Sequence, residues 1–89
     1  MEEPNQSKLY AMNLRAHIIN RMRRFNRVNY QYGYVTPEEC VYGLKELAAL
    51  AEWGGFFDLY EMLTNKSDKL RDLLPKQGTP AFAEFAQIL

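Results

Sequence analysis

The chain has 89 residues, of which 47% are hydrophobic, 25% charged and 13% aromatic, so its composition is that of one globular domain and not of a disordered segment. The formal net charge is zero, and Cys40 is the only cysteine, which excludes an intrachain disulfide and a multi-cysteine metal site. No apolar run approaches the ~18 residues of a membrane span, and the N-terminus is polar, so we expect no signal peptide, no membrane contact and a cytoplasmic location.

Charge is distributed unevenly along the chain. Residues 1–36 have a formal charge of +4 and residues 37–89 have one of −4. Two explanations are open: either the two parts fold against each other and neutralise, or one face is basic and binds an anion.

The first predicted helix runs from about Ser7 to Asn29, after a flexible tail over 1–6, and is apolar on two sides. Its core stripe comprises Leu14, Ile18, Met22, Phe25 and Val28, and a second apolar line comprises Leu9, Met12, Ala16 and Ile19. Polar side chains between these lines recur at helical spacing: Asn13, His17, Asn20, Arg24 and Arg27. Because one neighbouring helix cannot cover two apolar sides, this pattern favours self-association.

The segment "TPEE" predicts the start of a second helix. Thr36 suits the N-cap position, Pro37 the first helical position, and Glu39 completes a capping box. Gly54 and Gly55 accept the backbone geometry that ends a helix. The predicted core stripe comprises Cys40, Val41, Leu44, Leu47, Ala48 and Ala51, and a second, flatter apolar face comprises Tyr42, Ala49, Leu50 and Trp53.

Two further helices complete the predicted fold. One extends from Phe56 to Leu74, and the residues at 65–68 either break it, with Ser67 as a new N-cap, or lie within it. A turn at 75–78 precedes a last short helix that begins at Thr79 and Pro80. Its apolar stripe comprises Phe82, Phe85, Ala86 and Leu89. We therefore predict an all-α fold over 1–89, a compact bundle of four to five short helices that self-associates.

Few residues could support catalysis. His17 is expected on the polar side of the first helix, as a solvated side chain or as a contact to a partner. Cys40 falls within a core stripe and is expected to be a buried small hydrophobic residue, although a helix N-terminus can lower the pKa of a thiol. The glycines match no phosphate-binding loop, and no metal-ligand pattern occurs. We expect a protein that is not an enzyme and that has no cofactor.

The segment Arg21–Tyr34 concentrates four arginines and three tyrosines. If the part after the first helix is extended, Tyr30, Tyr32 and Tyr34 share one side. Three interpretations remain open: a solvated helix face, a protein-binding surface of the kind rich in arginine and tyrosine, or a platform for single-stranded nucleic acid. A zero net charge argues against a non-specific DNA binder.

From these patterns we predict a small, non-enzymatic helical binding protein, an inhibitor or adaptor that occupies a surface on a protein partner. Accessory proteins of phages and mobile elements are analogous. The predicted partner-binding residues are Asn13, His17, Asn20, Arg23, Arg24, Arg27, Tyr30, Tyr32 and Tyr34. The predicted self-association residues are Leu9, Met12, Ile19, Tyr42, Leu50 and Trp53. The alternative is a nucleic-acid or nucleotide binder that uses the arginines and tyrosines. A structural subunit of a larger assembly would use the same surfaces as the binding protein.

Overall fold

The computed structural model describes residues 4–74 and 80–89, with side chains over 12–74 and 83–89. Helix α1 spans Pro4–Met22, α2 spans Arg27–Gln31, α3 spans Pro37–Trp53, α4 spans Phe57–Leu73 and α5 spans Pro80–Ile88. Within these ranges there is no strand, and the predicted all-α bundle is confirmed. The predicted turn at 75–78, Thr79 and the side chains of Leu9 and Phe82 lie outside the described residues.

The pair of helices α3 and α4 forms the centre of the bundle. Helix α1 packs against α3, and α5 packs against α4 and α2. The buried hydrophobic residues are Ile18, Tyr30, Val35, Cys40, Val41, Leu44, Leu47, Ala48, Ala51, Leu59, Leu63, Leu70, Phe85 and Ala86. All six residues of the core stripe predicted for α3 are among them, because their spacing places them on one side of the helix.

The ends of α3 are as predicted. The hydroxyl of Thr36 accepts a hydrogen bond from the backbone N–H of Glu39 at 3.0 Å, and the Glu39 carboxylate accepts one from the N–H of Thr36 at 2.8 Å. This capping box satisfies backbone donors that have no partner inside the helix. After Gly54, Gly55 has a φ of +81°, a left-handed conformation that favours glycine.

Helix α4 is continuous through the residues that the sequence left open as a break. Ser67 is 3% exposed, and its hydroxyl donates a hydrogen bond to the backbone carbonyl of Val41 at 2.9 Å. The hydroxyl is therefore used to join α4 to α3 and does not cap a new helix. A buried hydroxyl needs such a partner.

The first predicted helix is two helices, so its prediction as a single helix ending at Asn29 is wrong. Asn26 has extended backbone angles of φ −118° and ψ 168°, and its side-chain oxygen accepts a hydrogen bond from the N–H of Asn29 at 2.8 Å. Asparagine favours such a cap over the helix interior. The break turns Val28, predicted for the core, outward to 57% exposure. Helix α1 begins at Pro4, so residues 4–6 of the predicted tail are helical, and residues 1–3 lie outside the described residues.

Candidate functional site

The break between α1 and α2 separates the arginines and tyrosines into two groups. The inward group contacts α5, and the members of the outward group are exposed. Arg27 belongs to the inward group: its Nε donates to the carbonyl of Ala86 at 2.8 Å and its Nη2 donates to that of Gln87 at 3.2 Å. Both carbonyls lie in the last turn of α5, where backbone acceptors are free and a positive charge is favourable. The guanidinium group thus caps α5 while the side chain stays exposed, so its predicted contact with a partner stays a prediction.

Tyr30 is the second inward residue. Its side chain is 7% exposed, and its ring lies 4.8 Å from that of Phe85, centroid to centroid, at a tilt of 30°. Burial raises the pKa of the Tyr30 hydroxyl, and the nearby Cys40 adds to this effect. The prediction of three tyrosines in a row is therefore corrected: α2 is helical, so Tyr30 turns towards the core.

Four exposed residues form the outward group, which we name the arginine–tyrosine corner: Arg23, Arg24, Tyr32 and Tyr34. Tyr32 and Tyr34 are 73% and 69% exposed, and their rings stack with centroids 5.8 Å apart and an interplanar angle of 25°. Gly33 between them has a φ of +80°, which a residue with a Cβ rarely adopts. This turn exposes two large aromatic rings side by side.

Two asparagine side chains hold the corner in place. The amide of Asn26 donates to the carbonyl of Arg23 at 2.7 Å, and the amide of Asn29 donates to the carbonyl of Arg24 at 2.8 Å. The backbone carbonyl of Asn29 also accepts a hydrogen bond from the N–H of Tyr34 at 2.8 Å. Asn29 therefore connects the arginine turn to the tyrosine turn. Sequence reasoning missed this role, although the spacing of Asn26 and Asn29 is that of an N-cap and its third helical residue.

A groove of about 750 Å³ runs between α1 and α3. Its lining includes His17, Asn20 and Arg24, which were predicted to bind a partner, and Tyr42, which was predicted to mediate self-association. The structure therefore brings residues of both predicted surfaces together. Asn13 is exposed on α1 but does not line this groove.

The predicted self-association residues are not all at the surface. Met12, Leu50 and Trp53 are 65%, 37% and 72% exposed. Ile19 is half-buried and packs against the core, so only part of its side chain is available for self-association, which stays a prediction. Because successive helix residues are ~100° apart, Ile19 lies at the edge of the contact made by the buried Ile18.

An ion pair that the sequence analysis did not foresee joins α1 to the start of α4. Arg15 donates to both carboxylate oxygens of Asp58, at 2.9 and 3.3 Å, and its guanidinium carbon lies 5.7 Å from the centroid of the Phe56 ring. The hydrogen bonds from Arg15 lower the pKa of the Asp58 carboxyl. Both residues are exposed enough that the pair serves orientation more than stability.

Cys40 is fully buried, as predicted. Burial raises the pKa of its thiol to about 11, and the charge of Glu39 contributes in the same direction. The thiol is therefore protonated at neutral pH. Burial raises its pKa by more than the helix N-terminus could lower it.

This pKa predicts a loss of stability at alkaline pH. An unfolded thiol ionises near pH 9 whereas the native thiol keeps its proton until about pH 11, so the native state binds more protons between these values. The free energy of unfolding should then fall by roughly 1 kcal/mol between about pH 8 and about pH 10, measured by urea unfolding. In Cys40→Ala the fall should be smaller by that amount. Equal falls in the two proteins would contradict the raised pKa.

Comparisons with protein-family models, with curated proteins and with solved structures find no match for this chain. Across residues 4–74 and 80–89, no helix combines the length and apolar character needed to cross a membrane. In the same ranges, no three or more His, Cys, Asp or Glu residues are grouped so that they could hold a metal ion. The arginine–tyrosine corner and the α1–α3 groove are thus the candidate sites, defined by their geometry.

Proposed function

We propose that this is a small, non-enzymatic binding protein that occupies a surface on a protein partner through the arginine–tyrosine corner, as an inhibitor or adaptor does. The observation that carries the proposal is the exposed stack of Tyr32 and Tyr34. Adjacent exposed rings form a contiguous patch of the kind that marks an interface, and tyrosine and arginine supply much of the energy of protein interfaces.

The rigidity of the corner favours binding. Asn26 and Asn29 fix both turns by hydrogen bonds, so little conformational entropy is lost when a partner docks. The described ion pairs are Arg15–Asp58 and Arg71–Asp68, which leaves the guanidinium groups of Arg23 and Arg24 available. Guanidinium groups pair with carboxylates in a bidentate geometry. The partner surface therefore combines an apolar patch with acidic side chains.

A nucleic acid or nucleotide is the second candidate, and the same stacked rings favour it, since bases stack on exposed aromatic side chains. The burial of Tyr30 removes one ring from the surface that such a ligand would use, and the hydrogen bonds of Arg27 to α5 occupy donors that would otherwise bind phosphate. Together with the zero net charge, this makes a protein the better candidate. A lone, buried cysteine suits a reducing compartment, and we place the protein in the cytoplasm.

The proposal is tested by affinity capture from nuclease-treated lysate of the cells that carry the gene. Wild type is compared with Arg23→Glu/Arg24→Glu and with Tyr32→Ala/Tyr34→Ala, which alter exposed residues and should leave the fold intact. We expect a protein that the wild type retains and that both double variants lose by at least ~10-fold, because like charges then face its carboxylates or the rings are absent.

Matched controls separate the corner from general effects of charge and aromatic content. Lys45→Glu/Lys69→Glu makes the same change in net charge at exposed lysines outside the corner, and Phe57→Ala removes a ring that is 66% exposed on α4. Both should retain the partner. Capture that is the same for all variants would refute the proposal. Oligonucleotide binding that weakens steeply with salt and is lost in the arginine variant would favour a nucleic acid instead.

A further inference from the structure

The α1–α3 groove has one basic and one acidic wall. Arg21 and Arg24 line its α1 side, and Glu39 and Glu46 line its α3 side. All four residues are exposed, and none belongs to an ion pair of the described chain. Two positive and two negative groups thus stand on facing walls without forming an ion pair with each other.

Such a groove is complementary to itself. In a two-fold symmetric dimer the same surface meets itself, and when the two-fold axis runs along the groove each basic wall faces the acidic wall of the other copy. A groove of one sign would repel its copy, whereas a groove of both signs attracts it. The formal net charge of zero means that no overall repulsion opposes the approach of two copies.

The α3 wall also provides apolar contact area. Tyr42, Leu50 and Trp53 are 57%, 37% and 72% exposed, and their spacing, with Glu46 between them, places them along one side of α3. Tyr42 lines the groove, and Leu50 and Trp53 extend the same side of α3 beyond it. A row of exposed apolar side chains of this kind is typical of an interface. They would contribute the hydrophobic part of the association, and the charges would set its register.

We propose that a second copy of this chain closes the α1–α3 groove across a two-fold axis, with the basic wall of each copy on the acidic wall of the other. This inference goes beyond the proposed function, which concerns a different protein bound at the corner. Arg21 and Glu46 are the residues to test, because Arg24 also belongs to the corner and Glu39 to the capping box of α3.

The test is sedimentation velocity at concentrations from about 5 to about 200 μM, since dimerisation depends on concentration. We expect the wild type to dimerise and Arg21→Glu or Glu46→Arg alone to weaken the dimer at least ~10-fold, because each reversal creates repulsion at both symmetric contacts. An equimolar mixture of the two variants should form a heterodimer as stable as the wild-type dimer, since both contacts are then between opposite charges.

The equimolar mixture of the two variants distinguishes a contact between two copies from a contact within one chain. An ion pair within one chain would be restored by combining both changes in that chain, but not by mixing two chains. Lys69→Glu, at an exposed site outside the groove, is the matched control and should leave the dimer unchanged, and circular dichroism checks that each variant is folded. A monomeric wild type, single variants that dimerise normally or a mixture that stays monomeric would each overturn the proposal. The capture experiment is kept independent of these results by Tyr32→Ala/Tyr34→Ala, because neither tyrosine lines the groove whereas Arg24 does.

Discussion

Replacing Phe85 by alanine should lower the free energy of unfolding by about 3–5 kcal/mol, the largest effect that we expect from a single substitution. The Phe85 ring is 2% exposed and packs on Tyr30. Helix α5 has nine residues, fewer than the ~12–15 that an isolated helix needs, so its stability depends on docking. Urea unfolding followed by circular dichroism measures the loss.

Phe57→Ala is the matched control for this experiment. It makes the same chemical change in α4 at a side chain that is 66% exposed, where a substitution should alter stability by no more than ~0.5 kcal/mol. If Phe85→Ala cost as little as Phe57→Ala, α5 would not be docked as described.

The docking of α5 also bears on the candidate site. Helix α2 has only five residues and contacts α5 through Arg27 and Tyr30. The arginine turn of the corner precedes α2, and the tyrosine turn follows it. Loss of α5 would remove the contacts that fix α2 in place. Phe85→Ala should therefore weaken partner capture, although Phe85 is not part of the corner.

Helix α3 shows how much of this fold the sequence could predict. Its start, its end and its six buried stripe residues were all identified, because each signal lies within the segment itself. The capping box spans four residues, and the stripe follows helical spacing. Local rules are sufficient where local and tertiary preferences agree.

The inward residues of α2 could not be predicted in this way. Arg27 caps α5 at Ala86, a residue 59 positions away, and Arg15 pairs with Asp58 across 43 positions. No local pattern distinguishes an exposed arginine that binds a distant carbonyl from one that faces water. The break at Asn26 is different, because asparagine is a common N-cap and its signal was present in the sequence. The apolar stripe that continues to Val28 favoured one uninterrupted helix over a new helix capped by Asn26, so the break was not predicted.

Gly43→Ala should lower the free energy of unfolding by about 1–3 kcal/mol, even though alanine is the better helix former by ~1 kcal/mol. A Cβ at Gly43 would lie 2.8 Å from Cε2 and 2.9 Å from Cε1 of Phe25, well inside van der Waals contact. The neighbour at this glycine is the side chain of Phe25. That ring is half-buried and packs against the core, so a Cβ at position 43 would have to displace it and lose part of this packing.

A double-mutant cycle distinguishes this contact from an effect of helix propensity. In a Phe25→Ala background the obstructing ring is absent, so Gly43→Ala should stabilise the protein by up to ~1 kcal/mol. The sign of the effect would thus reverse between the two backgrounds, as thermal or urea unfolding can measure. Gly33→Ala provides the control: nothing lies within 4 Å of a Cβ there, and its φ of +80° makes the substitution unfavourable whether or not Phe25 is present. If Gly43→Ala cost the same in both backgrounds, the Phe25 ring would not be what requires glycine at this position.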